Sequence, residues 1–353
     1  MTIYWLMLLV PILAGLSPWK AKGALPNLQW IFYGAILILI VGLRHQVGGD
    51  WGSYINNYKH LEGTRFFDAI TIYSVSRDLG YEIIHWFALN YLNGIYSTNL
   101  ACAAIFTAGL LRLCKNMPFP WLALVVAIPY LVIVVAMGYT RQGAAIGFIM
   151  WGLIDLMNGK TSRFYLMLIL GTLFHKTTLF LLPIGFLYSN SISNFRDLLL
   201  FGLFFVITFI AFMADYFQAM VNNYITDTQG MESSGAFIRV AMNVFSGTLF
   251  LFFRKRWAKK FNDASLWFMC SIISVIMLPL TLVMSTTIDR MALYFIPMQL
   301  IVLSRLPILI INTYNRTLFI FIVLALYIGS MYVFLNFATA VPFWVPYHNI
   351  LFY

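Results

Sequence analysis

The sequence predicts an all-α polytopic integral membrane protein of about ten transmembrane helices, and three observations carry that prediction. The 353 residues are 61% hydrophobic and only 10% charged, whereas soluble proteins carry roughly 25% charged residues. The apolar runs are long, as in Trp121 to Met137 and Leu318 to Leu335, and a helix needs about 20 apolar residues to cross the hydrocarbon core. The runs lack the period-two alternation of barrel strands.

Ten stretches qualify as crossings in chain order: 2–17, 27–43, 97–114, 119–137, 141–158, 197–214, 236–253, 264–284, 290–304 and 317–336. The first has no basic n-region and reads as a span rather than a cleaved signal peptide. Two further stretches, 81–96 and 164–188, are apolar but awkward. Residues 1–353 read as a single transmembrane domain, with an outer loop at 44–80 and no other soluble module. Cys102, Cys114 and Cys270 lie in or at the ends of apolar runs. Their spacing builds neither a disulfide framework nor a metal site, and small packing residues are the reading for them. The net charge of +10 would point to nucleic acid in a soluble chain. Here the distribution of charge matters more than its total, and no nucleic-acid partner is expected.

Cytoplasmic loops are rich in Lys and Arg. The densest basic loop is RKRWAKK, Arg254 to Lys260, so it is assigned to the inside. Alternation then brings Lys20, Lys22, Arg112, Lys115, Lys160, Arg163, Arg196, Arg305 and Arg316 inside as well. The outside receives Arg44, Lys59, Arg65, Arg77, Arg141, Lys176, Arg239 and Arg290. It also takes most of the acids: Asp50, Glu62, Asp68, Asp78, Glu82, Asp215, Asp227, Glu232 and Asp289. The pattern holds only if 164–188 does not cross once. Each half of FYLMLILGTLFHKTTLFLLPIGFLY gives roughly 18 Å of helix, short of the roughly 30 Å core. The segment therefore reads as a re-entrant hairpin entering from the inside, with His175 and Lys176 at its tip. The stretch 81–96 is expected to dip in from outside or to lie at the interface.

Four of the outer basic residues, Arg141, Lys176, Arg239 and Arg290, are expected at the starts of helices running inward. A helix N-terminus carries about half a positive charge, so a basic residue there is unfavourable unless an anion sits between them. A snorkelling anchor is the bland alternative for each. Arg239 follows Asp227 and Glu232 and reads as their ion-pair partner; Arg290 follows Asp289 and has a partner beside it. Arg141, in AMGYTRQGAAIG, precedes Gly143-x-x-x-Gly147, a face that lets helices approach closely. The motif LRHQVGGDWGSY, Leu43 to Tyr54, ends the second span. Gly48 and Gly49 turn the chain. Asp50 and Tyr54 share a face if a helix starts near Asp50, where Asp50 is either an N-cap or an acid–base group over a cavity. Tyr54, Asp289 and Gln142 are the expected supporting residues.

Five segments together resemble the EpsG/Wzy group of membrane polysaccharide polymerases. They are RHQVGGDWGSY, TRQGAAIGF, LFHKTTLFLLP, DRMALYF and the C-terminal VPFWVPYHNIL, spread from about residue 40 to the end. His45 and Gln46, between Arg44 and Gly48, depart from the pattern. The resemblance implies joining of lipid-linked oligosaccharide repeat units on the outer, periplasmic face of a bacterial inner membrane. Donor and acceptor would both be carried on undecaprenyl diphosphate. It also implies no cofactor, no metal, a GT-C-like architecture, membrane lipids as surroundings and a separate chain-length regulator as partner.

That chemistry needs cations on the diphosphate leaving group and a base for the acceptor hydroxyl. Arg141, Arg290, Lys176 and Arg44 are the diphosphate candidates; His175 or Asp50 is the base candidate, with His175 favoured for its ordinary pKa near neutrality. Direct displacement predicts inversion at the anomeric carbon. Two rival readings exist. A membrane O-acyltransferase needs a histidine that opens to the inside. A lipid-linked oligosaccharide flippase should show internal repeats and paired broken helices. The outer aromatic residues, Trp51, Tyr54, Tyr58, Trp86, Trp344 and Tyr347, read mainly as an interfacial belt.

Overall fold

The computed structural model describes residues 1–16, 25–61, 63–68, 78–189 and 235–352. The expected crossing 197–214, the acids Glu62, Asp215, Asp227 and Glu232, and the basic residues Lys20, Lys22, Arg77 and Arg196 lie outside the described residues. The described chain is helical throughout, with no strand; one isolated antiparallel bridge pairs Arg44 with Asn349. The protein is an all-α polytopic membrane protein. Its helices are α1 (Thr2–Leu16), α2 (Leu25–Gly42), α3 (Trp51–Leu61), α4 (Leu79–Tyr91), α5 (Gly94–Lys115), α6 (Pro120–Ala127), α7 (Thr140–Met157) and α8 (Thr161–Phe174). They continue as α9 (Leu182–Ser189), α10 (Ala236–Ala258), α11 (Ala264–Leu280), α12 (Ser285–Ala292), α13 (Ile296–Leu309) and α14 (Thr313–Phe337). Among the described helices, α5, α10, the α12–α13 run and α14 are each long and apolar enough to cross a membrane.

Lipid gives helices little hydrophobic reason to associate, so close packing of small residues carries the bundle. The face anticipated at Gly143 and Gly147 does this. A Cβ on Gly109 of α5 would meet the Gly147 carbonyl oxygen at 1.9 Å, and one on Gly147 would meet the Phe106 Cα at 2.6 Å. The two backbones therefore touch, and α7 is pinned to α5 immediately below Arg141. α7 also packs along α8.

The regular helix is interrupted at three places, each with side-chain compensation. α6 runs into a π-helix, Ile128–Ala136, whose second residue is Pro129; proline has no N–H to give and disturbs the α ladder. The Ile133 carbonyl accepts a hydrogen bond from Trp344 Nε1 at 2.8 Å. Between α12 and α13, residues Leu293–Phe295 tighten into a 3₁₀ turn just before Pro297. The carbonyls of Arg290 and Ala292 accept from Gln142 Nε2 at 2.7 Å and Asn243 Nδ2 at 2.9 Å. After α8 the chain breaks at His175 and continues as a 3₁₀ helix, Lys176–Leu181, into α9.

That last break folds the chain back. Gly185 of α9 packs on the ring of Phe164, near the start of α8, so His175 lies at the tip of a helical hairpin. The 14 residues of α8 make about 21 Å at 1.5 Å per residue. The stretch anticipated at 81–96 is two elements. α4 buries Tyr81, Glu82, His85 and Ala88 on one face and exposes Ile83, Phe87 and Tyr91. A turn at Gly94, with φ 53°, then starts α5.

The C-terminal segment VPFWVPYHNIL straps the motif after α2. His45 N–H donates to the His348 carbonyl at 2.9 Å, Gly48 N–H to Phe343 at 2.8 Å, and Ile350 N–H to Leu43 at 2.9 Å. Gly48 has φ 106°, and a Cβ there would lie 2.3 Å from the Met137 carbonyl oxygen; both its angle and its neighbours require glycine. The departing pair His45–Gln46 has a local account too. Gln46 takes a positive φ of 52°, and the His45 ring bonds the Tyr96 hydroxyl at 2.6 Å.

Candidate active site

The two ends of the bundle differ in charge. One end carries Arg112, Lys115, Lys160, Arg163, the Arg254–Lys260 run, Arg305 and Arg316 against Asp155 and Asp263. The other gathers most of the residues singled out in the sequence.

At that second end, Asp78, just before α4, is the organising anion. One carboxylate oxygen pairs with Arg141 Nη1 at 3.1 Å, and the other accepts the Lys176 backbone N–H at 3.0 Å. It thus ties the second residue of α7 to the tip of the α8–α9 hairpin. The Arg141 guanidinium lies 5.9 Å from the ring centroid of Tyr54 and 5.8 Å from that of Tyr81, inside cation–π range. Asp50 immediately precedes α3, and its carbonyl accepts the Tyr54 N–H at 3.0 Å. Its carboxylate makes no hydrogen bond or ion pair among the described residues. Burial raises the pKa of Asp50 above the ordinary carboxylate value, and Arg290 and Arg141 oppose that rise.

Arg290 is half-buried, and its guanidinium bonds no group among the described residues. It acts electrostatically on Asp50 and, together with Arg141, on His175. Contrary to expectation, Arg290 does not begin a helix. α12 starts five residues earlier, at Ser285, and Arg290 lies in its last turn. Asp289, buried next to it, turns away and takes Arg239: Arg239 Nε donates to Asp289 Oδ1 at 2.7 Å, and Nη2 donates to the second oxygen. The expected partners of Arg239, Asp227 and Glu232, lie outside the described residues. Its partner among the described residues is the aspartate that sequence proximity had offered to Arg290. Gln142, 2% exposed, holds the Arg290 carbonyl and so fixes the turn that presents the guanidinium.

Arg44 sits apart from this set. It is 1% exposed. Its guanidinium donates to the Val47 carbonyl at 3.1 Å, the Val41 carbonyl at 2.5 Å and Thr140 Oγ1 at 2.6 Å. It closes the turn after α2 onto the start of α7, next to Arg141.

His175 accepts the Thr177 backbone N–H on its Nδ1 at 3.4 Å and bonds Thr177 Oγ1 at 2.7 Å. Tyr294 Oη lies 3.0 Å from both Thr177 Oγ1 and Thr178 Oγ1. The hairpin tip is therefore bonded to the 3₁₀ turn that follows Arg290. Sequence reasoning singled out neither Asp78, Thr177, Thr178 nor Tyr294 as a site residue. Asp78 was visible only as one of several outer acids. The threonines follow His175-Lys176 directly, and Tyr294 lies in DRMALYF, so the runs were marked but not these positions. Among the described residues no group of three His, Cys, Asp or Glu could hold a metal.

A polytopic helical bundle with cationic and acid–base groups gathered at the end opposite its basic loops defines an all-α membrane protein with its charged groups sorted between its two ends. Residues 27–349 match the EpsG family, and the chain belongs to that family, which is associated with glycosyltransferase-like polysaccharide polymerases. No curated protein and no solved structure matches it.

Proposed function

We propose that this protein joins oligosaccharide repeat units carried on undecaprenyl diphosphate, at the outer face of a bacterial inner membrane, as an inverting and metal-independent glycosyltransferase. One observation carries the reading. Arg141, Arg290, the hairpin tip at His175–Lys176 and Asp50 converge, and the guanidinium of Arg290 and the carboxylate of Asp50 are left without a bond to any described residue. An arginine fork is well suited to phosphate oxygens, and preorganised cations stabilise charge developing on a leaving group.

In this reading Arg141 and Arg290 bind the donor's diphosphate, with Lys176 beside them. Arg44 and Asp78 position Arg141; Gln142 and the Arg239–Asp289 pair position Arg290; Tyr54 backs the Arg141 guanidinium. Asp50 and His175 are the groups able to manage the acceptor's proton. The positive-inside rule turns the opposite, basic end to the cytoplasm and the site outward. The α8–α9 hairpin is then re-entrant from the cytoplasmic side, and residues 44–80 form the outer loop.

The test is made in cells that lack the chromosomal copy. Loss of a polymerase leaves single units exported but unjoined, whereas loss of a flippase leaves lipid-linked units facing the cytoplasm, and loss of an O-acyltransferase leaves polymer of normal length without its acyl groups. Full-length polymer from folded, membrane-inserted Arg141→Ala and His175→Ala variants would overturn the site assignment.

A further inference from the structure

Arg141 and Arg290 both act electrostatically on His175 and on Asp50, and the hydrogen bonds around His175 decide between these two. A backbone N–H can only donate, so His175 Nδ1 accepts from Thr177. An imidazolium has donors at both nitrogens, while a neutral ring has one donor and one acceptor. The ring is therefore neutral, with its proton on Nε2. The neighbouring hydroxyls agree. Each has one hydrogen to give. With Nδ1 accepting, Thr177 Oγ1 can give its hydrogen to Nδ1, Tyr294 its own to Thr177 Oγ1, and Thr178 its own to Tyr294. Thr178 and Tyr294 are 0% and 2% exposed, so water does not compete for these bonds. Nε2 makes no bond among the described residues, and the ring is half-buried. For Nε2 to act as a base, the proton would have to move to Nδ1 and face the Thr177 N–H, donor against donor.

We propose that His175 serves as a hydrogen-bond donor, offering Nε2–H to a phosphate oxygen of the diphosphate, and that Asp50 is the sole base. This rests on the polymerase reading. The acceptor hydroxyl oxygen bonds the anomeric carbon, and its proton passes to the Asp50 carboxylate. The bond from that carbon to the diphosphate oxygen breaks, and its electron pair stays on the diphosphate. The His175 proton remains on Nε2 throughout. Thr177, Thr178 and Tyr294 are positioning residues that fix the tautomer.

Two measurements on the full-length protein test it. In ¹⁵N-histidine-labelled protein, with His175 assigned by difference against His175→Gln, the resonances should report a neutral ring protonated at Nε2. A ring protonated at Nδ1, or at both nitrogens, overturns the proposal. This readout needs no activity, so it stands even if the polymerase reading fails, which would show as wild-type protein that extends no lipid-linked repeat unit. In the activity arm, a glutamine amide can donate where Nε2–H does. His175→Gln should retain activity within about tenfold, while His175→Ala and Asp50→Asn should each lose about a hundredfold or more. His175→Gln should also keep the acid limb of the wild-type pH profile. Thr177→Ser should rescue what Thr177→Val loses. His175→Gln as inactive as His175→Ala, with Asp50→Asn still active, would restore His175 as the base.

Discussion

The two ends of the bundle use the same side chains differently. At the basic end, Asp263 is saturated: Arg305 Nη1 donates to one oxygen at 2.5 Å and Trp257 Nε1 to the other at 2.8 Å. The Arg305 guanidinium lies 4.5 Å from the Phe261 ring centroid. Arg112 pairs with Asp155 at 2.8 Å and lies over Trp151 at 4.4 Å. Carboxylate, guanidinium and aromatic ring are grouped each time, although the buried Arg305 Nε bonds no described residue. At the opposite end Arg239 and Asp289 pair in the same way, but the side chains of Arg290 and Asp50 are not bonded to any described residue. Each carboxylate at the basic end has its guanidinium, whereas at the other end the side chains of Asp50 and Arg290 bond no described residue, which in the proposed reading leaves them to a ligand.

The largest effect on stability falls at the basic end. Breaking a buried ion pair by removing one partner costs about 3–5 kcal/mol. Arg305→Ala should lower thermal stability by that order, measured on purified protein, while molecules that stay folded keep their activity. Unchanged stability would mean that the pair is not structural. At the open end the effect should fall on rate. Arg141→Ala should reduce polymer synthesis by about 10²–10³-fold with a smaller change in melting temperature, since its pair with Asp78 is partly exposed. Trp344→Phe keeps an aromatic side chain but removes the indole N–H that bonds the Ile133 carbonyl, a loss of about 1–2 kcal/mol; a melting curve checks it, and no change would show that the strap is not anchored there. The subtlest effect concerns pH. Asp50 must be ionised to take a proton, and burial holds its pKa above the ordinary carboxylate value while Arg290 and Arg141 pull it down. Activity should therefore fall as pH drops through that raised value. Arg290→Gln removes one opposing charge, so the acid limb should move to higher pH. An unmoved limb would separate Arg290 from Asp50.

The spans were readable because apolar length and composition are properties of the sequence itself, and most of the anticipated boundaries fall close to the observed helices. The break at His175 was readable because His175 and Lys176 interrupt an apolar run too short in each half. Pairing was not readable, because it depends on which helix ends meet in space. Asp289 is adjacent to Arg290 in the chain, yet it faces α10 and takes Arg239, since neighbours on a helix point in different directions. Arg44 looked like a ligand-facing cation at the end of α2. The turn after it curls back, and three acceptors close on its guanidinium. Asp78 carries no motif, and only its bonds to Arg141 and to the Lys176 N–H give it a role.

The most direct test of the contrast is binding of a short-chain polyprenyl diphosphate to purified full-length protein. Arg141→Gln with Arg290→Gln should weaken binding by about a hundredfold or more. Arg305→Met with Asp263→Leu, which removes both members of a closed pair, should leave it unchanged. Equal binding by wild-type protein and the Arg141/Arg290 variant, or loss of binding only in the Arg305/Asp263 variant, would contradict the account.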